Sequence, residues 1–146
     1  MFARPRPKSH AEALVLTVVA ALIESDGKIL VCQRKRGDTF ELLWEFPGGK
    51  LKPNETPEQG LARELEEELG VTARIGREVL RAKHQYAQMS EPIELIFLRA
   101  EIVQGRAANR VFEQIAWREP ETLPELNFLP ADRDLIGLLS TGKLKL

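Results

Sequence analysis

Residues 14–23, LVLTVVAALI, form an apolar run rich in β-branched side chains. Ser25-Asp26-Gly27 interrupts it and Lys28 to Arg34 resumes it, which predicts two strands joined by an Asp-Gly turn. A polar loop, Lys35 to Thr39, leads to a short strand from Leu43 to Phe46. The period then changes: Leu61, Leu65 and Leu69 recur every four residues, as on one face of a helix. Thr56 stands where an N-cap belongs, with Pro57 in the first helical position and Gln59 three residues after the cap. Gly70 follows the last helical residue, where a left-handed cap costs a glycine little. Val71 to His84 alternates as a strand with a bend near Gly76, Ile93 to Val103 reads as a long strand, and Phe112 to Trp117 as a shorter one. Glu119 to Leu123 predicts a turn or a single helical turn, and Asp132 to Leu139 a final short helix. Strands on both sides of one helix, with a second helix at the end, predict an α/β fold with a mixed sheet between helices.

The polar face of the first helix carries the chemistry. Glu64, Glu67 and Glu68 stand at i, i+3 and i+4 and so share one patch, away from the leucines. Three such carboxylates repel one another in water, and a divalent cation reverses the sign of that interaction. Mg²⁺ takes oxygen ligands from carboxylates, waters and substrate phosphates, which this face can supply. An isolated run of this kind is more often a solvated acidic face. Just upstream, Phe46-Pro47-Gly48-Gly49 predicts a strand ending in a tight turn, with the glycines supplying positive φ. A glycine there also lets its carbonyl approach a metal or a phosphate closely.

Spacing decides between the two readings of the acidic face. From Gly49, five residues lead to Glu55 and seven more to Arg63-Glu64-Leu65-Glu66-Glu67-Glu68-Leu69-Gly70-Val71. Every fixed position of the Nudix box is filled, and the chain is identified by it as resembling the Nudix hydrolases. Trp44 to Lys50 and Glu55 to Gln59 further resemble the MutT branch, and the weaker likeness extends from about Leu14 to Leu139. The resemblance implies an α/β/α sandwich around a mixed, partly barrel-like sheet. It also implies a hydrolase that splits (deoxy)nucleoside triphosphates into nucleoside monophosphate and pyrophosphate, with Mg²⁺ as cofactor and Mn²⁺ as a substitute. Oxidised nucleotides such as 8-oxo-dGTP are among the implied substrates, which would make the role sanitation of the nucleotide pool and DNA repair. Other nucleoside diphosphate derivatives stay open as alternatives, whether CTP, a nucleotide sugar or a dinucleotide polyphosphate. A non-catalytic nucleotide-binding module is disfavoured by the intact box.

Residue by residue, the resemblance makes Glu64, Glu67, Glu68 and Arg63 the catalytic set, with Glu64 as general base. The Gly48 carbonyl, Glu64, Glu67 and Glu68 become the metal ligands. Glu55 and Arg63 pair to brace the box, whose turns are made by Gly49 and Gly70. Arg34 and Lys50 fall to the phosphates. Asp132 falls to the base, with a helix N-cap as its other reading, and Phe46 packs against a base or fills the core, the core being favoured. Many MutT-like chains carry a further metal-binding glutamate six residues before a late tryptophan. Val111 holds that place here, so Glu113, four residues before Trp117, is the candidate from a shifted register.

Composition narrows the classes. With 146 residues, 29% charged and 43% hydrophobic, the chain predicts one globular domain over residues 13–146 behind a disordered tail, residues 1–12. A net charge of −1 argues against a sequence-independent nucleic-acid polymer as partner. Residues 14–23 are about half the length of a membrane span, and the N-terminus lacks the pattern of a signal peptide, so no membrane association is expected. The single cysteine, Cys32, cannot form an internal disulfide, which favours the cytoplasm, and its apolar neighbours predict a buried strand thiol. A monomer is slightly favoured over a dimer. His10 and His84 are given no chemical role.

Overall fold

The computed structural model describes residues 16–146. The expected tail, residues 1–12, lies outside them, as do His10 and the first residues of the first predicted strand. Seven strands and two helices follow: β1 (Leu16–Ser25), β2 (Lys28–Gln33), β3 (Trp44–Glu45), β4 (Gly48–Lys50), α1 (Pro57–Leu69), β5 (Thr72–His84), β6 (Ile93–Gln104), β7 (Gln114–Arg118) and α2 (Arg133–Ser140). Two 3₁₀ turns, Pro120–Glu125 and Pro130–Asp132, precede α2.

β1 is the axis of the fold. It runs parallel to β6 from Leu16 to Ile23, while its other edge pairs antiparallel with β4 and then, at Glu24 and Ser25, with β2. β5 lies antiparallel outside β6, and β2 carries β3 and β7. The sheet is mixed and stays open rather than closing into a barrel. β1 reads as a continuous apolar run because both its faces are covered. Val19, Ala21 and Ile23 pack on one side with Leu61, Leu65 and Leu69 of α1. Ala20 and Leu22 pack on the other with Phe46, Phe97, Leu123, Phe128 and the α2 residues Leu135, Ile136 and Leu139. The result is the α/β/α layering. Cys32 is buried in the α1-side core.

α1 begins and ends where its sequence directs. The Gln59 N–H donates to Thr56 Oγ1 at 3.1 Å and the Thr56 N–H to Gln59 Oε1 at 3.0 Å, a reciprocal capping box. Gly70 closes the helix in the left-handed region, φ 69° and ψ 28°. Its three leucines are fully buried, each worth about 2 kcal/mol of transfer free energy. β5 loses register between Ile75 and Glu78, which is the bend expected near Gly76.

The Gly48-Gly49 segment differs from expectation. It is an extended strand, β4, paired with Val19 and Ala20 of β1, and not a tight turn. Gly48 does have the expected positive φ, 157°, and a Cβ there would also collide with the Val19 carbonyl oxygen, so a close approach of two backbones requires glycine as well. Gly49 is required by its neighbour instead: a Cβ would sit 2.6 Å from the Glu64 carboxyl carbon.

Candidate active site

Arg63 organises the polar face of α1. Its Nε donates to Glu55 Oε2 at 2.6 Å and its Nη2 to Glu55 Oε1 at 2.9 Å, a two-pronged pair across the entry to the helix. The Lys52 N–H adds a third bond to Glu55 at 2.8 Å. These hydrogen bonds, that from Arg63 first, hold the Glu55 carboxyl down to about 2. Arg63 also reaches the Lys50 carbonyl at 3.2 Å, which ties α1 to β4. Its remaining nitrogen donates to Glu64 at 3.0 Å and to Glu67 at 3.3 Å.

The three glutamates occupy different surroundings. Glu67 is the most open, with 54% of its side chain exposed, whereas Glu64 retains 15%. Glu68 turns inward and accepts the Gly48 N–H at 3.0 Å. Burial first, then the charge of Glu64, pushes Glu68 up to about 8, although the Gly48 N–H pulls the other way. Burial also raises Glu64, against the pull of Arg63. A half-buried carboxylate cluster of this kind is relieved by a divalent cation, and its donors are all hard oxygens, so the residues fit Mg²⁺ or Mn²⁺. Among the described residues no three such side chains already form a finished cation cage; Glu64 and Glu67 lean on Arg63 instead.

Glu68, Gly48, Gly49 and Lys50 form one end of a cavity of about 510 Å³. Apolar residues of β1 and β6, among them Val18 and Leu95, make its wall, with Phe46 between them. Phe46 is 3% exposed and meets Phe97 edge-on at 6.0 Å, so it serves the core and lines the cavity as well. Arg34 and Asp132 lie on the same cavity. Arg34 is already engaged: it donates to Glu45 at 3.2 Å and to the Thr39 carbonyl at 2.7 Å. Asp132 is 4% exposed, and its side chain does not cap α2. Burial, then the charge of Glu45, raises its carboxyl well above the ordinary value, which favours the protonated form, the one able to donate a hydrogen bond.

Glu113 lies elsewhere. It is exposed just before β7, where its Oε1 accepts the Arg36 N–H at 3.2 Å, and it is not among the cavity-lining residues.

Three cavity residues are given no role by the sequence, although Glu45 lies within the Trp44 to Lys50 stretch. Glu45 faces the cavity from β3, and burial raises its carboxyl despite the opposing Arg34. A charged residue between the buried aromatics Trp44 and Phe46, within that stretch, is the signal for it. Tyr86 accepts the Ala131 N–H on its hydroxyl at 3.2 Å and stacks at 4.7 Å on Phe40, the third. Neither aromatic has a motif around it, and only the fold brings their loops together.

A family model described as NUDIX domain matches residues 13–139. The CTP pyrophosphohydrolase of Escherichia coli K12 is 38% identical over 122 residues, covering 84% of this chain and 89% of that protein. The 8-oxo-dGTP diphosphatase of Haemophilus influenzae is 36% identical over 126 residues, covering 86% and 91%. Among solved structures, the solution structure of the E. coli ORF135 protein superposes with a TM-score of 0.75 at 34% identity, covering 88% of this chain and 91% of that one.

Proposed function

This chain belongs to the Nudix family and is a Nudix hydrolase, and from the geometry of its site we propose that it cleaves nucleoside triphosphates to nucleoside monophosphate and pyrophosphate, with Mg²⁺ or Mn²⁺ as cofactor. One observation carries the proposal. A single cavity joins Glu68 of α1, through Gly48 to Lys50, to a buried acid, Asp132, among apolar lining residues. That is the order in which a triphosphate and its base are laid out.

Glu64, Glu67, Glu68 and the Gly48 carbonyl would hold the cation, which supplies neutralisation of phosphate charge and a more acidic bound water. Glu64 receives the proton of the attacking water, and its contact with Arg63 keeps it in place as that charge changes. The Glu55–Arg63 pair fixes the register of helix and loop, so that the carboxylates keep their positions. Arg34 and Lys50 steady the phosphates. Arg34 would have to share its guanidinium between a phosphate and Glu45. Water attacks the β-phosphorus, the bond to the α-phosphate oxygen breaks, and the monophosphate leaves with that oxygen. Glu113, whose Oε1 accepts the Arg36 N–H, is proposed as a further carboxylate for the metal on its spacing from Trp117 alone.

Asp132 in its neutral form can donate to an acceptor on the base and accept from an N–H, a pattern that suits more than one base. The two relatives named above are called after a pyrimidine and an oxidised purine nucleotide respectively. Catalytic efficiencies for CTP, dCTP, dGTP and 8-oxo-dGTP therefore rank the substrates. The reaction itself is tested by pyrophosphate release with Mg²⁺ in ¹⁸O water. Label in pyrophosphate is the expected result; label in the monophosphate, or orthophosphate as the product, would overturn it.

A further inference from the structure

We propose that Arg110 is a positioning residue that docks on the C-terminal end of α1 and sets the last helical turn, which carries Glu67 and Glu68. The proposal rests on the metal-holding role given to those two glutamates above. α1 has no basic residue of its own in its last turn. Its terminal carbonyls are met instead by the segment between β6 and β7. Arg110 Nη1 donates to the Glu66 carbonyl at 3.2 Å, the Arg110 N–H to that of Glu68 at 3.2 Å, and the Ala108 N–H to that of Leu69 at 3.0 Å. The Glu66 carbonyl also accepts the capping Gly70 N–H at 3.0 Å, whereas those of Glu68 and Leu69 have no partner within their own helix, and a guanidinium there also complements the helix dipole.

Gly70 completes the fit. A Cβ at that position would stand 2.6 Å from Nη2 of Arg110 and 2.8 Å from its Cζ. The closing glycine of the box thus has two duties, to take the left-handed cap and to leave room for a guanidinium from outside the box. The docking segment is itself held firmly. The Asn109 side chain donates to the Phe112 carbonyl at 2.9 Å and accepts the Phe112 N–H at 2.8 Å. Phe112 is buried in the core with the α1 leucines, and the Glu113 N–H donates to the Gln33 carbonyl at 2.9 Å. The end of the helix that bears two metal-site carboxylates is therefore anchored to β2 through Arg110 and its neighbours.

The test is Mn²⁺ binding, followed by the spin-resonance signal of free Mn²⁺, in the full chain and in Arg110→Ala and Arg110→Lys. Arg110→Ala should raise the Mn²⁺ dissociation constant about threefold. It should also lower kcat by a similar factor while leaving the nucleotide KM unchanged. Arg110→Lys, which can still donate to the Glu66 carbonyl, should recover part of both. In a double-mutant cycle with Gly70→Ala, the two losses should fail to add, because the new methyl already displaces the guanidinium. Melting curves accompany each variant. Should Arg110→Ala not fold, Arg110→Gln against Arg110→Lys makes the same comparison, with the weaker Mn²⁺ binding expected in the glutamine variant. Wild-type affinity and kcat in the folded alanine variant, or equal affinity in the glutamine and lysine variants, would overturn the proposal and leave the proposed function standing. Failure of the wild-type chain to bind Mn²⁺ would overturn both.

Discussion

The two ends of the cavity are built on different principles. The α1 end comes from one contiguous stretch, Gly48 to Gly70, in which carboxylates meet donors close by in the chain: Glu55 accepts from the Arg63 guanidinium and the Lys52 N–H, and Glu68 from the Gly48 N–H. The Asp132 end is assembled from separate loops and strands, with Glu45, Tyr86 and Phe40 brought together across more than forty residues of chain. Its acids are carried in apolar surroundings, and burial is the leading cause of both their shifts. At one end an arginine braces several carboxylates, whereas at the other the Arg34–Glu45 pair and the buried Asp132 share the cavity with aromatic rings. The proposed triphosphate, with charged phosphates and an aromatic base, suits that contrast.

The contrast can be broken most severely at the charged end. Glu67→Gln and Glu68→Gln should each lower Mg²⁺-dependent pyrophosphate release by at least about a hundredfold while circular dichroism stays native. Near-wild-type turnover in both variants would remove the carboxylate face from the reaction.

A step down in effect lies the brace. Arg63→Lys should cost about ten- to a hundredfold in kcat, because an ammonium cannot make the two-pronged bond to Glu55. Glu55→Gln should behave likewise and also change the acid limb of stability. Glu55 has its folded value depressed to about 2 from 4.5, so its stabilisation is complete above 4.5 and is lost as pH falls toward 2. Melting temperatures of wild type and Glu55→Gln should therefore converge on acidification; parallel curves would count against the pair.

At the apolar end the effects should be smaller and of another kind. Asp132→Asn should alter KM and the ranking of bases by about tenfold, with kcat on the best substrate changed less. The sign of its pH effect is opposite to that of Glu55. The folded Asp132 is raised above 3.8, so wild-type stability falls as pH climbs from 3.8 toward the folded value. The asparagine variant should gain on wild type as pH rises above 3.8. An unchanged base ranking together with a pH-independent difference in melting temperature would place Asp132 outside the recognition of the base.

The mildest change concerns the frame alone. Thr56→Ala should lower stability by about 1 kcal/mol through loss of the capping box, with KM unaltered. A large change in KM would show that the entry to α1 touches the nucleotide.

Much of the α1 end is legible in the residues themselves. The cap at Thr56, the leucine stripe, the stop at Gly70 and the pairing of Glu55 with Arg63 depend on interactions within a few helical turns. The Gly48-Gly49 strand has the local look of a turn because its requirement for glycine comes from β1, which precedes it by nearly thirty residues. Glu113 has a spacing that suggests a metal but meets the Arg36 N–H, since β7 pairing with β2 sets where that residue falls. Asp132 suits a cap on α2 equally well by its position, yet its burial beside the cavity leaves the cap unmade.

Sequence by itself determined the helix, its ends, its acidic face and the α/β class, because periodicity and capping act over short stretches of chain. Only the tertiary structure decided which glutamate is half-buried, that Glu45 and Tyr86 join Asp132 on one cavity, and that Arg110 closes the far end of α1. Desolvation depends on everything packed around a group, and no local rule specifies which distant segment will supply that packing.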